Sequence, residues 1–199
     1  MSNRFRLPDF KALELGLKLN KSKRYRVSAD QKAKLQKYRI KRLFFDIETS
    51  PNVVYSWRIG YNINLSHENI VKERAIICIS YKWQHEDKVY NLKWNNGCDK
   101  EMIEKFIKIC NTADELIAHN GDRFDIKWIR TRAIYHRLPM FPKYRTLDTL
   151  KKARGGFNFN NNRLDYIAQY LGVGAKLKHD GFSMWVDVMN GDTKAMDKM

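Results

Sequence analysis

Seven residues constrain this chain more than any others: Leu43-Phe44-Phe45-Asp46-Ile47-Glu48-Thr49. An apolar run carries two carboxylates two positions apart. In a β-strand, residues i and i+2 point to the same face, so Asp46 and Glu48 project side by side. Adjacent carboxylates repel, and burying them is costly unless a cation lies between them. Oxygen ligands at this spacing suit Mg²⁺ or Mn²⁺ rather than zinc. The competing reading is an edge strand with a solvated charged face, and the hydrophobic flanks argue against it.

Charge is distributed unevenly. Residues 1–42 hold 14 Lys or Arg against three acids, a net of +11, out of +16 for all 199 residues. Such asymmetry predicts a polyanion-binding arm, residues 1–41, on a more neutral body, residues 42–199. Nucleic acid is the expected polyanion, because no large apolar face accompanies the charge. A solubilising tail is the alternative. Within the arm, Phe10, Leu13 and Leu17 fall at helical spacing after Pro8. A capping-box pattern from Ser28 to Gln31 opens a second short helix. No stretch of about 20 apolar residues offers a membrane span. Cys78, Cys98 and Cys110 form no CxxC pair and read as reduced cytosolic thiols.

The body begins with the strand at 42–49, broken by Ser50-Pro51-Asn52. An irregular aromatic stretch with Tyr55, Trp57 and Tyr61 follows. Strands are expected over 74–83 and 88–94, pairing as a hairpin. Residues 99–110 predict an amphipathic helix with Met102, Ile103, Phe106, Ile107 and Cys110 on one face. A buried strand at 115–119 leads to a helix over 123–136, with Ile126, Ile129 and Ala133 inward. A short strand at 145–147 and a helix through Arg154 come next. Residues 155–162 read as a loop. Leu164, Ile167, Ala168 and Leu171 predict one more helix face, with Asn162 as cap and Gly172 as stop. Strands followed by alternating helices and strands predict an α/β fold, a mixed sheet flanked by helices.

The second informative stretch is Ala118-His119-Asn120-Gly121-Asp122-Arg123-Phe124-Asp125. A strand end meets a helix start there, where ligand sites of α/β sheets gather. Asp125 falls in the first helical turn, able to approach Asp46 and Glu48; simple helix capping by Asp122 or Asp125 is the alternative. Taken together, Phe45-Asp46-Ile47-Glu48-Thr49 and Asn120 through Phe124-Asp125 resemble the DEDD 3′–5′ exonuclease superfamily, which includes proofreading domains of DNA polymerases. Residues 46–51, 119–125, 147–150 and 163–172 are similar to phage and bacterial ribonuclease H-like exonucleases. The resemblance covers residues 42–199 and leaves out the arm.

That resemblance implies a ribonuclease H-like fold and metal-dependent removal of nucleotides from nucleic-acid 3′ ends, with DNA favoured over RNA. It further implies a cytoplasmic protein of a bacterial cell or phage-infected host. Asp46, Glu48 and Asp125 would be the catalytic, metal-binding carboxylates for two Mg²⁺ or Mn²⁺ ions. Asp46 would bridge the ions, Glu48 would serve the nucleophile side, and Asp125 would hold the second ion. Thr49, Asn120 and Phe124 would shape the site or contact the terminal nucleotide. The family's third motif, Tyr-x-x-x-Asp or His-x-x-x-x-Asp, is not matched on a late helix. Tyr144 with Asp148 four residues on reads as chance. Asp187, Asp192 and Asp197 are substitute candidates without the surrounding motif. The expectation is therefore a chain truncated at its C-terminus, or completed by a second chain.

Tyr55, Trp57 and Tyr61 could stack on unpaired bases or anchor their loop to the core. Phe157, Phe159 and Asn160 to Asn162 could line a strand channel. Lys151, Lys152 and Arg154 read equally as phosphate contacts or a solvated face. His119 is expected to be a hydrogen-bonded structural residue, and Trp83, Trp94 and Trp128 belong to the core. Asp148 and Asp165 are expected to cap helices. Two alternatives accompany the exonuclease: a structure-specific endonuclease of the same fold, and a non-catalytic nucleic-acid-binding module.

Overall fold

The computed structural model describes residues 40–176 and 181–199. Residues 1–39 of the basic arm, with its two predicted helices, lie outside the described residues. The body is built on a five-stranded mixed sheet of order β5-β4-β1-β6-β7. Its strands are β1 (Arg42–Thr49), β4 (Ile76–Trp83), β5 (Tyr90–Lys93), β6 (Glu115–Ala118) and β7 (Thr146–Asp148). β4 runs antiparallel to β1 and β5 antiparallel to β4, whereas β6 is parallel to β1 and β7 to β6. Two strands that the sequence did not reveal, β2 (Val53–Val54) and β3 (Ile70–Lys72), form a separate small ribbon after β1.

The alternation in β1 sorts its residues onto two faces. Leu43, Phe45 and Ile47 are buried against α1 (Lys100–Cys110) and α2 (Asp125–Tyr135), and Phe44, Asp46 and Glu48 face the other way. The five apolar positions expected on α1 are all buried, as are Ile126, Ile129 and Ala133 of α2. Phe106 sits at their centre, its ring 5.3 Å from that of Phe45. Each such fully buried side chain contributes about 1.5–3 kcal/mol of transfer free energy. The three tryptophans assigned to the core are half-buried at its rim, where Arg74 lies over Trp128 and Lys72 over Trp94.

Four helices follow or flank β7: α3 (Thr149–Gly156), α4 (Leu164–Tyr170), α5 (Phe182–Met189) and α6 (Thr193–Lys198). Val188 of α5, with Ala195 and Met196 on α6, packs on Ile77 and Cys78, which buries part of the second face of β4. Asp148 caps α3 as expected, accepting from Leu150 N and Lys151 N. The capping expectations for α4 fail. Arg163 occupies the N-cap position, Asn161 Oδ1 accepts from Arg163 N, and the side-chain oxygen of Asn162 is buried without a partner. Asp165 lies inside the helix and accepts from Lys176 N at 2.6 Å, which ties the segment after α4 back to its first turn. Gly172 ends α4 with φ of +66°, the left-handed stop expected there. α4 buries none of its residues, so its apolar face is unlike that of α1.

One buried ionic network holds the N-terminus of α1, the start of β4 and the end of α2 together. Asp99, fully buried, accepts from Ile76 N at 2.9 Å, from Arg132 Nε and Nη2 at 2.7 Å each, and pairs with His136 Nε2 at 2.6 Å. Burial alone would raise the Asp99 carboxyl. The hydrogen bonds from Arg132, Ile76 and His136 outweigh it and hold the group below its ordinary range.

Candidate active site

β1 and β6 pair only from Arg42 to Phe44 on the β1 side, so the second half of β1 is not bonded to β6. Beyond Ala118 the chain turns away through Asn120, whose φ of +69° is a left-handed conformation that asparagine tolerates. Gly121 makes this turn possible: a Cβ there would lie 2.6 Å from that of Ala118. The turn delivers Asp125 to the first residue of α2, against the open edge of β1. Its Oδ1 accepts from Ile47 N at 3.2 Å, the amide between the two acidic residues of β1.

Asp46 and Glu48 stand on the outward face of β1, opposite Ser80 and Cys78 of β4. Asp46 is open to solvent and Glu48 half-buried, whereas Asp125 is 1% exposed. All three carboxyls are raised. Surrounding protein raises Asp46, against the opposing charges of Lys176 and His119. Burial and the neighbouring Asp46 charge raise Glu48, again opposed by Lys176. Asp125 is pushed up to about 7 by burial and by Asp46, with Asp148 adding to it and backbone N–H groups opposing. Cys78, beneath Glu48, is pushed up to about 12 by burial and by that carboxylate, and so stays a thiol. Sequence reasoning missed Lys176 as a cation near the pair, because it follows α4 and belongs to no motif.

A strand end where the Asp46 charge raises both Glu48 and Asp125 is chemically suited to a hard divalent cation. Among the described residues, no three His, Cys, Asp or Glu side chains converge as a ready-made cage. Asp125 points at the β1 backbone instead of outward, which leaves Asp46 and Glu48 as the open pair. Mg²⁺ is commonly held by one or two carboxylates, with water and substrate phosphate as the remaining ligands. The donor set therefore fits such an ion. The substitute candidates for a fourth carboxylate are engaged or remote: Asp192 caps α6, Asp197 pairs with Lys93, and Asp187 is exposed on α5. None of them is among the charges that shift Asp46 or Glu48.

The remaining expected site residues divide by environment. Thr49 is 8% exposed; its hydroxyl accepts from Arg74 Nη2 at 2.7 Å and its carbonyl from Trp185 Nε1 at 3.2 Å. Phe124 is half-buried against the core. Asn120 donates its backbone N–H to Asp148 at 3.0 Å, and Asp148 also accepts from Asp122, Leu150 and Lys151 N–H groups. Tyr144 donates to Asn111 at 2.6 Å, and Asp148 is taken up by those backbone amides. His119 is structural, as expected, bridging Thr149 Oγ1 at 2.9 Å and the Asn162 carbonyl at 3.0 Å. Lys151 reaches Asp122 at 2.6 Å, and Lys152 is exposed. Tyr55, Trp57 and Tyr61 do not anchor their loop: they are 77%, 102% and 101% exposed.

Comparison with solved structures finds the same fold in the family B DNA polymerase of the hyperthermophilic archaeon Pyrobaculum calidifontis. The TM-score is 0.58 at 15% identity, covering 79% of this chain and 22% of the polymerase chain. The chain thus corresponds to about a fifth of that protein's length. No curated protein matches it significantly. The RNase_H superfamily model matches residues 43–186, from the first strand through most of α5. With the mixed sheet and its acidic strand in place, the chain belongs to the RNase H superfamily.

Proposed function

We propose that the body is a metal-dependent 3′–5′ exonuclease that hydrolyses phosphodiester bonds at nucleic-acid ends, with DNA the preferred polymer. The superfamily supports a nuclease-type activity. The observation that carries the finer reading is the placement of Asp46 and Glu48 on one strand face with Asp125 against the amide between them. In this reading Asp46 and Glu48 bind two Mg²⁺ or Mn²⁺ ions, and Asp125 fixes the β1 edge and completes the negative field. Bound there, divalent ions supply Lewis-acid stabilisation of the phosphate and lower the pKa of a water. Until they bind, Asp125 keeps a proton up to a pH of about 7, which limits the repulsion in the free protein. Thr49 and Phe124 shape the site from within. Asn120, Lys151 and Lys152 contact the backbone, and Tyr55 and Trp57 stack on unpaired bases at about 1–3 kcal/mol each. The arm, residues 1–41, adds salt-sensitive phosphate affinity. Asp192, which caps α6, and Asp197, which pairs with Lys93, do not join the set, and loss of a general base commonly costs about 10²–10⁴ in rate.

The test is cleavage of a labelled strand by the full chain with Mg²⁺. Shortening from the 3′ end, abolished by Asp46→Ala, is the expected result; undiminished cleavage by that variant overturns the assignment. Cutting of circular single-stranded DNA would favour the endonuclease reading. The alternative of a non-catalytic binding module rests on the unmatched fourth carboxylate, since Asp192 caps α6 and Asp197 pairs with Lys93. Mg²⁺-dependent turnover by wild type excludes that module.

A further inference from the structure

A cleft of about 280 Å³ opens at the C-terminal ends of β6 and β7, lined by Asn120, Arg123, Asp148, Lys151 and Arg154 among others. It lies beside the start of α2 and apart from the outward face of β1. Its floor carboxylate, Asp148, is saturated by four backbone N–H groups. Lys151 is balanced by Asp122. Arg123 and Arg154 are exposed, and neither has a carboxylate within ion-pair distance among the described residues. Two unpaired guanidinium groups on an open cleft suit a phosphodiester backbone, which Arg recognises through its planar fork.

Rings follow this cleft at once. Gly155 lines it, and Phe157 comes two residues later. The Phe157 and Phe159 rings stack with centroids 5.4 Å apart at 28°, and Phe159 meets Tyr170 at 5.5 Å and 79°. Phe157 and Tyr170 are 64% and 68% exposed, so the ladder is presented to solvent instead of filling a core. The loop that carries it is fastened by His119, which bonds Thr149 and Asn162 on either side of Phe157 and Phe159 and directly follows β6, the parallel neighbour of β1. Cations for phosphates beside stacked rings for bases are the two components of single-strand binding surfaces.

We propose that Arg123, Arg154 and the Phe157–Phe159–Tyr170 ladder form one track for an unpaired nucleic-acid strand running past His119 to the carboxylate pair. This rests on the nuclease reading only for where the strand ends. The track selects single strands, because a duplex keeps its bases stacked away from the rings.

The test is fluorescence anisotropy of labelled dT12 and of a blunt duplex, titrated with the full chain in EDTA over a salt series. Removing one phosphate-binding cation lowers the single-strand salt slope by about 0.7. The double variant Arg123→Ala/Arg154→Ala should therefore lower it by about 1.4, whereas Lys100→Ala/Lys105→Ala on α1 leaves it unchanged. Phe157→Ala should weaken dT12 binding about five-fold or more and leave duplex binding unchanged, which also reports that the variant is folded. Equal slopes in the two double variants overturn the track. So does equal weakening of single strand and duplex by Phe157→Ala. Because no metal is present, the two readings fail separately. A chain that binds as described yet never cleaves with Mg²⁺ retains the track and loses the nuclease assignment. A chain that cleaves while its track variants bind like wild type does the reverse.

Discussion

Replacing Asp125 with Asn removes a disfavoured buried charge while keeping an acceptor for Ile47 N–H. The carboxyl is pushed up from 3.8 to about 7, by burial first and by the Asp46 charge next. Between those values the folded chain holds a proton that the unfolded chain has released. By linkage, stability falls as pH rises across that window, by up to about 1.4 kcal/mol per pH unit. Three units set an upper limit of about 4 kcal/mol, and relaxation around the charge reduces it, so Asp125→Asn should be more stable than wild type by about 2–4 kcal/mol at pH 8. Near pH 4 the gap should close, because both folded forms are then neutral at this position. Urea unfolding in EDTA at pH 4, 6 and 8, followed by fluorescence of the five tryptophans, measures it. Mg²⁺ should narrow the gap at pH 8 by offsetting the charge in wild type alone. A difference that does not change with pH, or a variant less stable than wild type at pH 8, refutes the reasoning.

Asp99→Ala leaves Arg132 buried without its carboxylate, and an unpaired buried charge costs about 3–5 kcal/mol, read as a lower urea midpoint. Gly121→Ala forces its Cβ against Ala118 and so displaces the turn that seats Asp125. Cleavage should fall at least ten-fold while stability drops by no more than a point mutation's usual ~0.5–3 kcal/mol, read from the urea midpoint.

Local patterns carried much of this fold. The period of two in β1 placed Asp46 and Glu48 on one face, and the 3.6 period of residues 100–110 named every buried position of α1. Asp125 was legible because a strand end, a glycine turn and a helix start follow one another within eight residues. What escaped depends on partners far along the chain. Asp99 gives no local sign that Arg132 and His136, more than 30 residues away, will bury it. The capping expectation for Asp165 failed because its carboxylate is taken by Lys176 N, which returns from beyond α4. The β2–β3 ribbon pairs strands of two and three residues, too short for alternation to register. The aromatic loop after β1 looked suited to anchoring, yet Trp57 and Tyr61 are fully exposed. Composition records ring content and not the direction in which a loop presents it.

The central claim is that Asp46 and Glu48 hold divalent cations. Isothermal titration of Mn²⁺ into the metal-free full chain at pH 8, beside Asp46→Asn and Glu48→Gln, tests it most directly. Saturable binding by wild type, lost or weakened at least ten-fold in both variants, is the expected result. Equal binding by all three proteins, or none by wild type even when a single strand is added to supply phosphate ligands, contradicts it.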